Sequence, residues 1–425
     1  MRACFGLDRG PFRGSNQMND ETNTTQPAVV LRAPEANRVS AGHPWIYERG
    51  IQRVQGAPED GAVVAVSDPR RRFLGVGCFN SRSKLRVRMY SHRNVELDRE
   101  FFLDRLRDAL ALRERRLPGA RACRIVNAEA DFLSGLIVDR YEDVLVTQIS
   151  ALALEQRKAL IFDALEELLH PRAIVERNDI AGRRFEGLDA TSDVARGEFA
   201  GEVTFTLNGL TFIADPLAGQ KTGFYLDQQV NYRLVADWLK DRSNARVADC
   251  FCSSGAFALH AAQAGAAQVV GIDQSETSVA TARRLAEQND LADRCVFETA
   301  NVFDWLKARS TPAERDQPGE QFDAVILDPP SFTRNRASLP NALRGYKEIH
   351  VRALKLIRPG GLLATFCCSH HVDERTFRDV ALSAAFDTRR VLRLVTRCTQ
   401  APDHPIIPSI PETEYLKGAL YEVVR

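Results

Sequence analysis

The stretch "ARVADCFCSSGAFALHAAQAGAAQVVGID", residues 245–273, decides the fold. Two short apolar runs each stop at an aspartate, Asp249 and Asp273, and an alanine-rich helical segment from Ala256 lies between them. The same alternation continues through "CVFETA" (295–300), "VFDWLKA" (302–308), "FDAVILDPP" (322–330), "ALRGYKEIHVRALKLI" (342–357) and "GLLATFCC" (361–368). Continuous apolar strands separated by amphipathic helices predict a parallel sheet covered on both faces. The carboxyl half is therefore a doubly wound α/β domain, and its ligands belong at the carboxyl ends of the strands, near the point where strand order reverses.

Working back toward the amino terminus, the pattern changes. Residues 28–94 hold the short strands "AVVLR", "AVVAVSD", "RFLGVGCF" and "KLRVRMY" with Gly and Pro between them, and read as a small β domain. Residues 95–200 read as a mixed α/β section, opened by a helical pattern over 95–117 that stops at Pro118. The segment "GEVTFTLNGLTFIAD" (201–215) is a hairpin turning at Asn208 and Gly209. It opens the last domain, 201–425. Residues 1–27 are polar and without periodicity and read as a disordered tail, with Met18 as an alternative start.

Bulk properties narrow the function classes. A chain of 425 residues with 44% hydrophobic content supports several cores. Its net charge of +1 gives no global pull toward nucleic acid or an anionic membrane. Nine scattered cysteines without a secretory segment point to reduced thiols in a cytoplasmic protein. No run reaches the roughly 20 apolar residues of a membrane span.

Local charge is less even. Between Pro69 and Val95 there are eight Lys and Arg side chains and no acid. In "SKLRVRMY" (83–90) the period of two puts Lys84, Arg86 and Arg88 on one face and Leu85, Val87 and Met89 on the other. A cationic stripe of this kind is either a solvated strand face or a set of phosphate contacts, and it needs a second feature to decide.

The strand ends of the carboxyl domain carry the chemistry. "DCFCSSGAF" (249–257) has Gly255 for a tight turn but is not the Gly-x-Gly-x-x-Gly cradle of a dinucleotide site. Asp273 ends the second strand, where a carboxylate accepts from two ribose hydroxyls. Asn301 follows the third strand, within reach of an adenine edge, and Asp328 ends the fourth in "ILDPPSF". Each of these alone is more often a helix cap than a ligand. Four at successive strand ends, without a phosphate loop, suggest S-adenosylmethionine. Pro329 and Pro330 stiffen the backbone beyond the sheet, so the loop can hold a planar base, with Phe332 as stacking partner.

The fifth strand delivers "FCCSHH", residues 366–371. Metal binding lacks further ligands at a workable spacing, since Cys250 and Cys252 form only a Cys-x-Cys on another strand. Alternation sends Cys367 and Cys368 to opposite faces, so one thiol packs while the other is shown at the cofactor edge. A thiolate there adds to carbon 6 of cytosine and makes carbon 5 nucleophilic. A protonated Asp328 beside ring nitrogen 3 would support the charge that develops. His370 and His371 read as surface residues.

Taken in order, "AGHPWIYERGI" (41–51), "GQKTGFYLDQQ" (219–229), "DCFCSSGAF", "VVGIDQS" (269–275), "DPPSF" (328–332), "LRGYKEIHVRALKLIRPGG" (343–361), "TFCCS" (365–369) and "DHPIIPSIPETEYLKG" (403–418) resemble the RlmI-type 23S ribosomal RNA cytosine-5 methyltransferases. The resemblance spans about residues 28–425. It implies an N-terminal PUA β-barrel that handles RNA, a central α/β domain, and a Rossmann-like class I methyltransferase domain with a mostly parallel seven-stranded sheet. It gives Lys84, Arg86 and Arg88 the second feature they needed, as RNA contacts. The family's nucleophile maps onto Cys368, before Ser369. "GQKTGFYLDQQ" becomes a loop closing over cofactor and target base, with Thr222, Phe224 and Tyr225 toward the cofactor beside Asp249, Gly255, Asp273, Asn301 and Asp328. Lys221 and Gln228, with Pro329, Pro330 and Phe332, face the base. Other RNA cytosine-5 methyltransferases carry a second cysteine after the two prolines; here Ser331 stands there, which leaves water as the acceptor of the carbon 5 proton. A homodimer stays open.

Two other readings keep parts of this one. An amine or ring-nitrogen RNA methyltransferase would use the same fold with Cys368 merely packed. A non-catalytic assembly factor would use the PUA domain and keep an empty methyltransferase fold.

Overall fold

A computed structural model describes residues 26–219, 222–242, 244–311, 321–333 and 335–425. Most of the expected tail lies outside the described residues. The carboxyl domain is built on one sheet of seven strands: β1 (Arg246–Cys250), β2 (Gln268–Asp273), β3 (Cys295–Thr299), β4 (Phe322–Leu327), β5 (Ile357–Cys367), β6 (Leu392–Thr399) and β7 (Lys417–Val423). Their spatial order is β3-β2-β1-β4-β5-β7-β6. Strands β1 to β5 run parallel, and β7 is antiparallel to both neighbours. The chain winds outward from β1 to β3 and then restarts at β4 on the other side of β1. The crevice at that reversal, outside the carboxyl ends of β1 and β4, is where a ligand fits.

Both faces of the sheet are covered, which is why its strands read as unbroken apolar runs. Val247, Ala324, Ile326, Leu362, Ala364 and Phe366 face helices Ala256–Gln263 and Glu276–Gln288. Ala248, Cys250, Val325, Leu327, Leu363 and Cys367 face helices Val302–Ser310, Leu339–Leu356 and Glu374–Asp387. The strand alternation therefore separates two cores. The hairpin Val203–Leu207 and Leu210–Ala214 packs Phe205 and Phe212 onto the first of them, and its turn uses left-handed backbone at Asn208 (φ 53°) and Gly209 (φ 83°).

Ahead of it stand two smaller sheets. Six strands, in the order Trp45–Tyr47, Leu85–Ser91, Phe73–Phe79, Val63–Ser67, Ala28–Leu31 and Ile51–Gln55, share a core of Val29, Leu31, Ile46, Val64, Val87 and Met89. A five-stranded sheet follows, with helices Arg99–Arg116 and Lys158–Leu169 on its apolar face. The first helix starts at Arg99 rather than at 95, because the Asp98 carboxylate caps it by accepting from the Phe101 amide. Among the described residues no helix is long and apolar enough to cross a membrane.

Candidate active site

The cavity at the strand ends has a volume of about 540 Å³. Its floor is the turn after β1, where Phe251 (φ 65°), Ser253 (φ 49°) and Gly255 (φ 81°) all hold left-handed backbone. For Phe251 and Ser253 that conformation costs roughly 1–2 kcal/mol each. A side chain at Gly255 would also meet the Phe297 ring, 2.9 Å from an added Cβ. The turn brings the Ser253 amide to Asp273, whose Oδ2 accepts from it at 3.0 Å while Oδ1 accepts from the Ser275 amide at 2.9 Å. Two backbone donors thus fix the carboxylate and leave further lone pairs on each oxygen. Beside it, Phe251, Phe303 and Phe332 form an apolar wall, with centroids 6.4 Å apart for the first pair and 5.7 Å for the last.

The opposite wall comes from the segment before helix Gln229–Leu239. Gln228 Nε2 donates to Asp328 Oδ2 at 3.0 Å, and Asn231 Nδ2 donates to Gln228 Oε1 at 2.6 Å and to the Thr399 carbonyl at 3.0 Å. Asp227 accepts from the Tyr415 hydroxyl at 2.7 Å. Burial, reinforced by the Asp328 and Asp227 carboxylates, pushes the Tyr225 phenol well above its usual pKa, so Tyr225 is a neutral donor at this edge.

The two cysteines separate as alternation requires. Cys367 is fully buried in the second core, with its thiol 3.4 Å from the Tyr346 hydroxyl. Cys368, half-buried, lines the cavity together with Asp328, Pro329, Pro330 and Asp273. The turn after it is tied down by the Ser369 hydroxyl, which lies 2.9 Å from both Tyr346 and Ser331.

This arrangement matches known proteins along its length. Residues 29–92 match the PUA-like domain family, and residues 241–402 the methyltransferase domain family. Ribosomal RNA large subunit methyltransferase I of Tolumonas auensis is 38% identical over 402 residues, covering 93% of this chain and 99% of that protein. The chain belongs to the ribosomal RNA large subunit methyltransferase I family. The Vibrio vulnificus member is 36% identical over 403 residues, again with 93% and 99% coverage. A Streptococcus mutans structure described as a SAM-dependent methyltransferase shares the fold across 93% of this chain and all of its own, with TM-score 0.77 at 19% identity.

The walls fit the methyl donor of such a methyltransferase, S-adenosyl-L-methionine. Asp273 keeps lone pairs that could accept from a pair of ribose hydroxyls, and the Phe251 and Phe303 rings could flank a planar base.

Against the expectations for a member of this family, several residues fall elsewhere. Asp249 and Gly255 do not line the cavity: Asp249 is fully buried beneath it and accepts from the Ala258 amide at 2.9 Å, and Gly255 only shapes the turn. Thr222 is corrected as a cofactor contact. It is buried, and its hydroxyl donates to Asp139 Oδ2 of the central domain at 2.5 Å. Asn301 lines the cavity, but its side-chain oxygen caps helix Val302–Ser310 by accepting from the Phe303 amide at 2.9 Å, so only its NH₂ is left for an adenine. Phe224, Tyr225, Gln228, Pro329, Pro330 and Phe332 are all in the wall, though Phe332 is half-buried against Tyr346, with ring centroids 4.6 Å apart. Lys221 lies outside the described residues. His370 and His371 are exposed.

The cationic stripe is partly neutralised. Lys84 is exposed, but Arg86 pairs with Glu48 at 2.8 Å, and Arg88 is drawn between domains to Glu186 at 3.1 Å and Ser134 at 3.1 Å. A period of two finds the shared face and cannot find the acids that another domain brings to it.

Sequence reasoning missed the part played by the central domain. Arg124 holds Asp139 through two bonds of 2.7 and 2.9 Å, and the Tyr141 hydroxyl accepts from the Phe224 amide at 3.1 Å. Together with Thr222 these bonds anchor the wall segment from behind. It also missed Asp227, which adjoins Gln228 in "GQKTGFYLDQQ" and carries no periodic signal of its own.

Proposed function

We propose that this chain methylates carbon 5 of a cytosine in 23S ribosomal RNA through a covalent adduct with Cys368. The reading rests on one observation: of two adjacent thiols, Cys368 opens onto the cavity shared by Asp273 and Asp328, while Cys367 is packed. S-adenosyl-L-methionine, when bound, supplies an electrophilic methyl group. The Cys368 thiolate forms a C–S bond to carbon 6 of the cytosine, and the electron pair of the 5,6 double bond moves to carbon 5. Carbon 5 then takes the methyl group, whose bond to the donor's sulfonium sulfur would break with the electron pair left on that sulfur, now a neutral thioether. Loss of the carbon 5 proton and cleavage of the C–S bond restore the ring and the thiolate. Asp328, held by Gln228, faces the ring-nitrogen edge, and the Asp-Pro-Pro loop keeps the base in plane. The target must be unstacked to enter, which favours RNA that is free or partly assembled.

Ser331 is a poor acceptor for the carbon 5 proton, since its hydroxyl donates to the Thr333 carbonyl at 2.9 Å and pairs with Ser369. Water takes that proton in this reading.

The test is to map 5-methylcytosine in 23S RNA from cells carrying the wild-type protein, Cys368→Ala or no copy. A single site lost in both of the latter supports the reading. Full activity of Cys368→Ala would instead indicate an amine or ring-nitrogen methyltransferase. Absence of calorimetric binding of S-adenosylmethionine would indicate an assembly factor.

A further inference from the structure

Cys368 shares its cavity with three carboxylates, those of Asp227, Asp273 and Asp328. Negative charge around a thiol disfavours the thiolate. Tyr225 and Tyr346, also near Cys368, are neutral and bring no opposing charge. The Arg124 guanidinium on the central sheet is already bound to Asp139.

A cation does stand behind the nucleophile. Lys417 opens β7 directly opposite Cys367 in the antiparallel ladder with β5. It is 8% exposed, and its Nζ donates to the Ser369 and Val372 carbonyls at 2.8 Å each. Both acceptors belong to the turn that begins at Cys368. Among the described residues no carboxylate lies within ion-pair distance of it; the Cys367 thiol, directly opposite, acts on it most, the Cys368 thiol next, then Glu414 and Asp373 from further off, and His370 and His371 on the same turn are exposed. Capping the two carbonyls needs only a donor, and a neutral side-chain amide could supply one without the cost of burying a charge. The charge therefore calls for a purpose that packing does not provide.

We propose that Lys417 is a positioning and activating residue for Cys368: its ammonium clamps the turn that carries the nucleophile and stabilises the thiolate against the surrounding carboxylates. Activation of a thiol by an adjacent lysine is a general device. The geometry here is a two-carbonyl clamp placed immediately after the sulfur-bearing residue. The inference rests on the reading of Cys368 as nucleophile.

The experiment measures, on the full-length protein, the pH dependence of Cys368 alkylation by iodoacetamide, read by peptide mass spectrometry. Lys417→Met removes charge and clamp; Lys417→Gln keeps an NH₂ for a carbonyl without the charge and serves if the methionine variant fails to fold; Lys417→Arg keeps the charge. The expected result is an alkylation midpoint raised by about one pH unit or more in the Met and Gln variants and near wild type in Arg. Single-turnover methylation at neutral pH should fall about 10-fold in Lys417→Gln and recover as the pH is raised. An unmoved midpoint in Lys417→Gln overturns the proposal, whatever happens to activity. Failure of the underlying reading is seen separately, as full activity in Cys368→Ala.

Discussion

Gln228 donates to Asp328 across 3.0 Å, and the direction of that bond is fixed from behind by Asn231, which gives one N–H to Gln228 Oε1 and the other to the Thr399 carbonyl. Because Asn231 can only donate with that nitrogen, the Gln228 amide must turn its own NH₂ to the aspartate. Gln228→Glu would replace this donor with a second carboxylate set against Asp328. The expected outcome is a loss of about 100-fold in single-turnover methylation, with affinity for S-adenosylmethionine changed by less than about 3-fold, because Gln228 bonds to Asp328 while Asp273 is held by the Ser253 and Ser275 amides. Radiolabelled methyl transfer and calorimetry check the two halves.

The two thiols should behave as opposites. Cys368→Ala abolishes methylation and trapping of a covalent protein–RNA adduct, while cofactor binding is retained. Cys367→Ala leaves a small cavity in the core beside Tyr346, costs about 1–2 kcal/mol of stability and keeps catalysis within about 10-fold. Denaturing gels with 5-fluorocytosine-substituted RNA read the adduct, and urea unfolding reads the stability. Equal losses in both variants would mean that the turn, not the Cys368 sulfur, is what matters.

Much of this was open to sequence reading because strand alternation and strand-end chemistry are local. The β1–α–β2 run predicts the parallel sheet, and Cys367 and Cys368 had to diverge once "GLLATFCC" was a strand. What could not be read was supplied by other domains. Arg88 looked cationic until Glu186 and Glu129 closed on it, and Thr222 looked like a cofactor contact until Asp139, far away in sequence, accepted its hydroxyl. Asn301 was ambiguous between cap and ligand, and it does cap a helix. Lys417 has no periodic signal at all, since a single lysine in an antiparallel strand says nothing of the carbonyls it meets.

Asp273 carries the cofactor expectation most directly. Its two oxygens are held by the Ser253 and Ser275 amides, so substitution by asparagine turns one acceptor into a donor that faces a backbone N–H. Asp273→Asn should weaken S-adenosylmethionine binding by about 10- to 100-fold, from lost charge-assisted bonds to the ribose, while affinity for RNA is unchanged. Calorimetry and a filter-binding assay separate the two. Unchanged cofactor affinity would remove Asp273 from that role.

Asp249 gives a prediction about stability and pH. It is fully buried at the end of β1, one oxygen accepts from the Ala258 amide, and the other has no partner among the described residues. Burial pushes its carboxyl up to about 8, with the Ala258 bond opposing and the Asp328 and Asp273 charges adding to the rise. In the unfolded chain an aspartate titrates near 4. A raised folded pKa means that the folded protein keeps a proton which the unfolded chain has released, so the contribution is fully present below about 4 and is lost as the pH rises through about 8. Asp249→Asn, which does not titrate, should therefore become more stable relative to wild type as the pH increases across that window. The gain should reach a few kcal/mol at the upper end, because each pH step of one across the window contributes on the order of 1.4 kcal/mol. Thermal melts of both proteins without cofactor, taken from pH 5 to 9, check this. Curves that stay parallel would mean that Asp249 is ionised in the folded state at neutral pH and is balanced by a group other than the Ala258 amide.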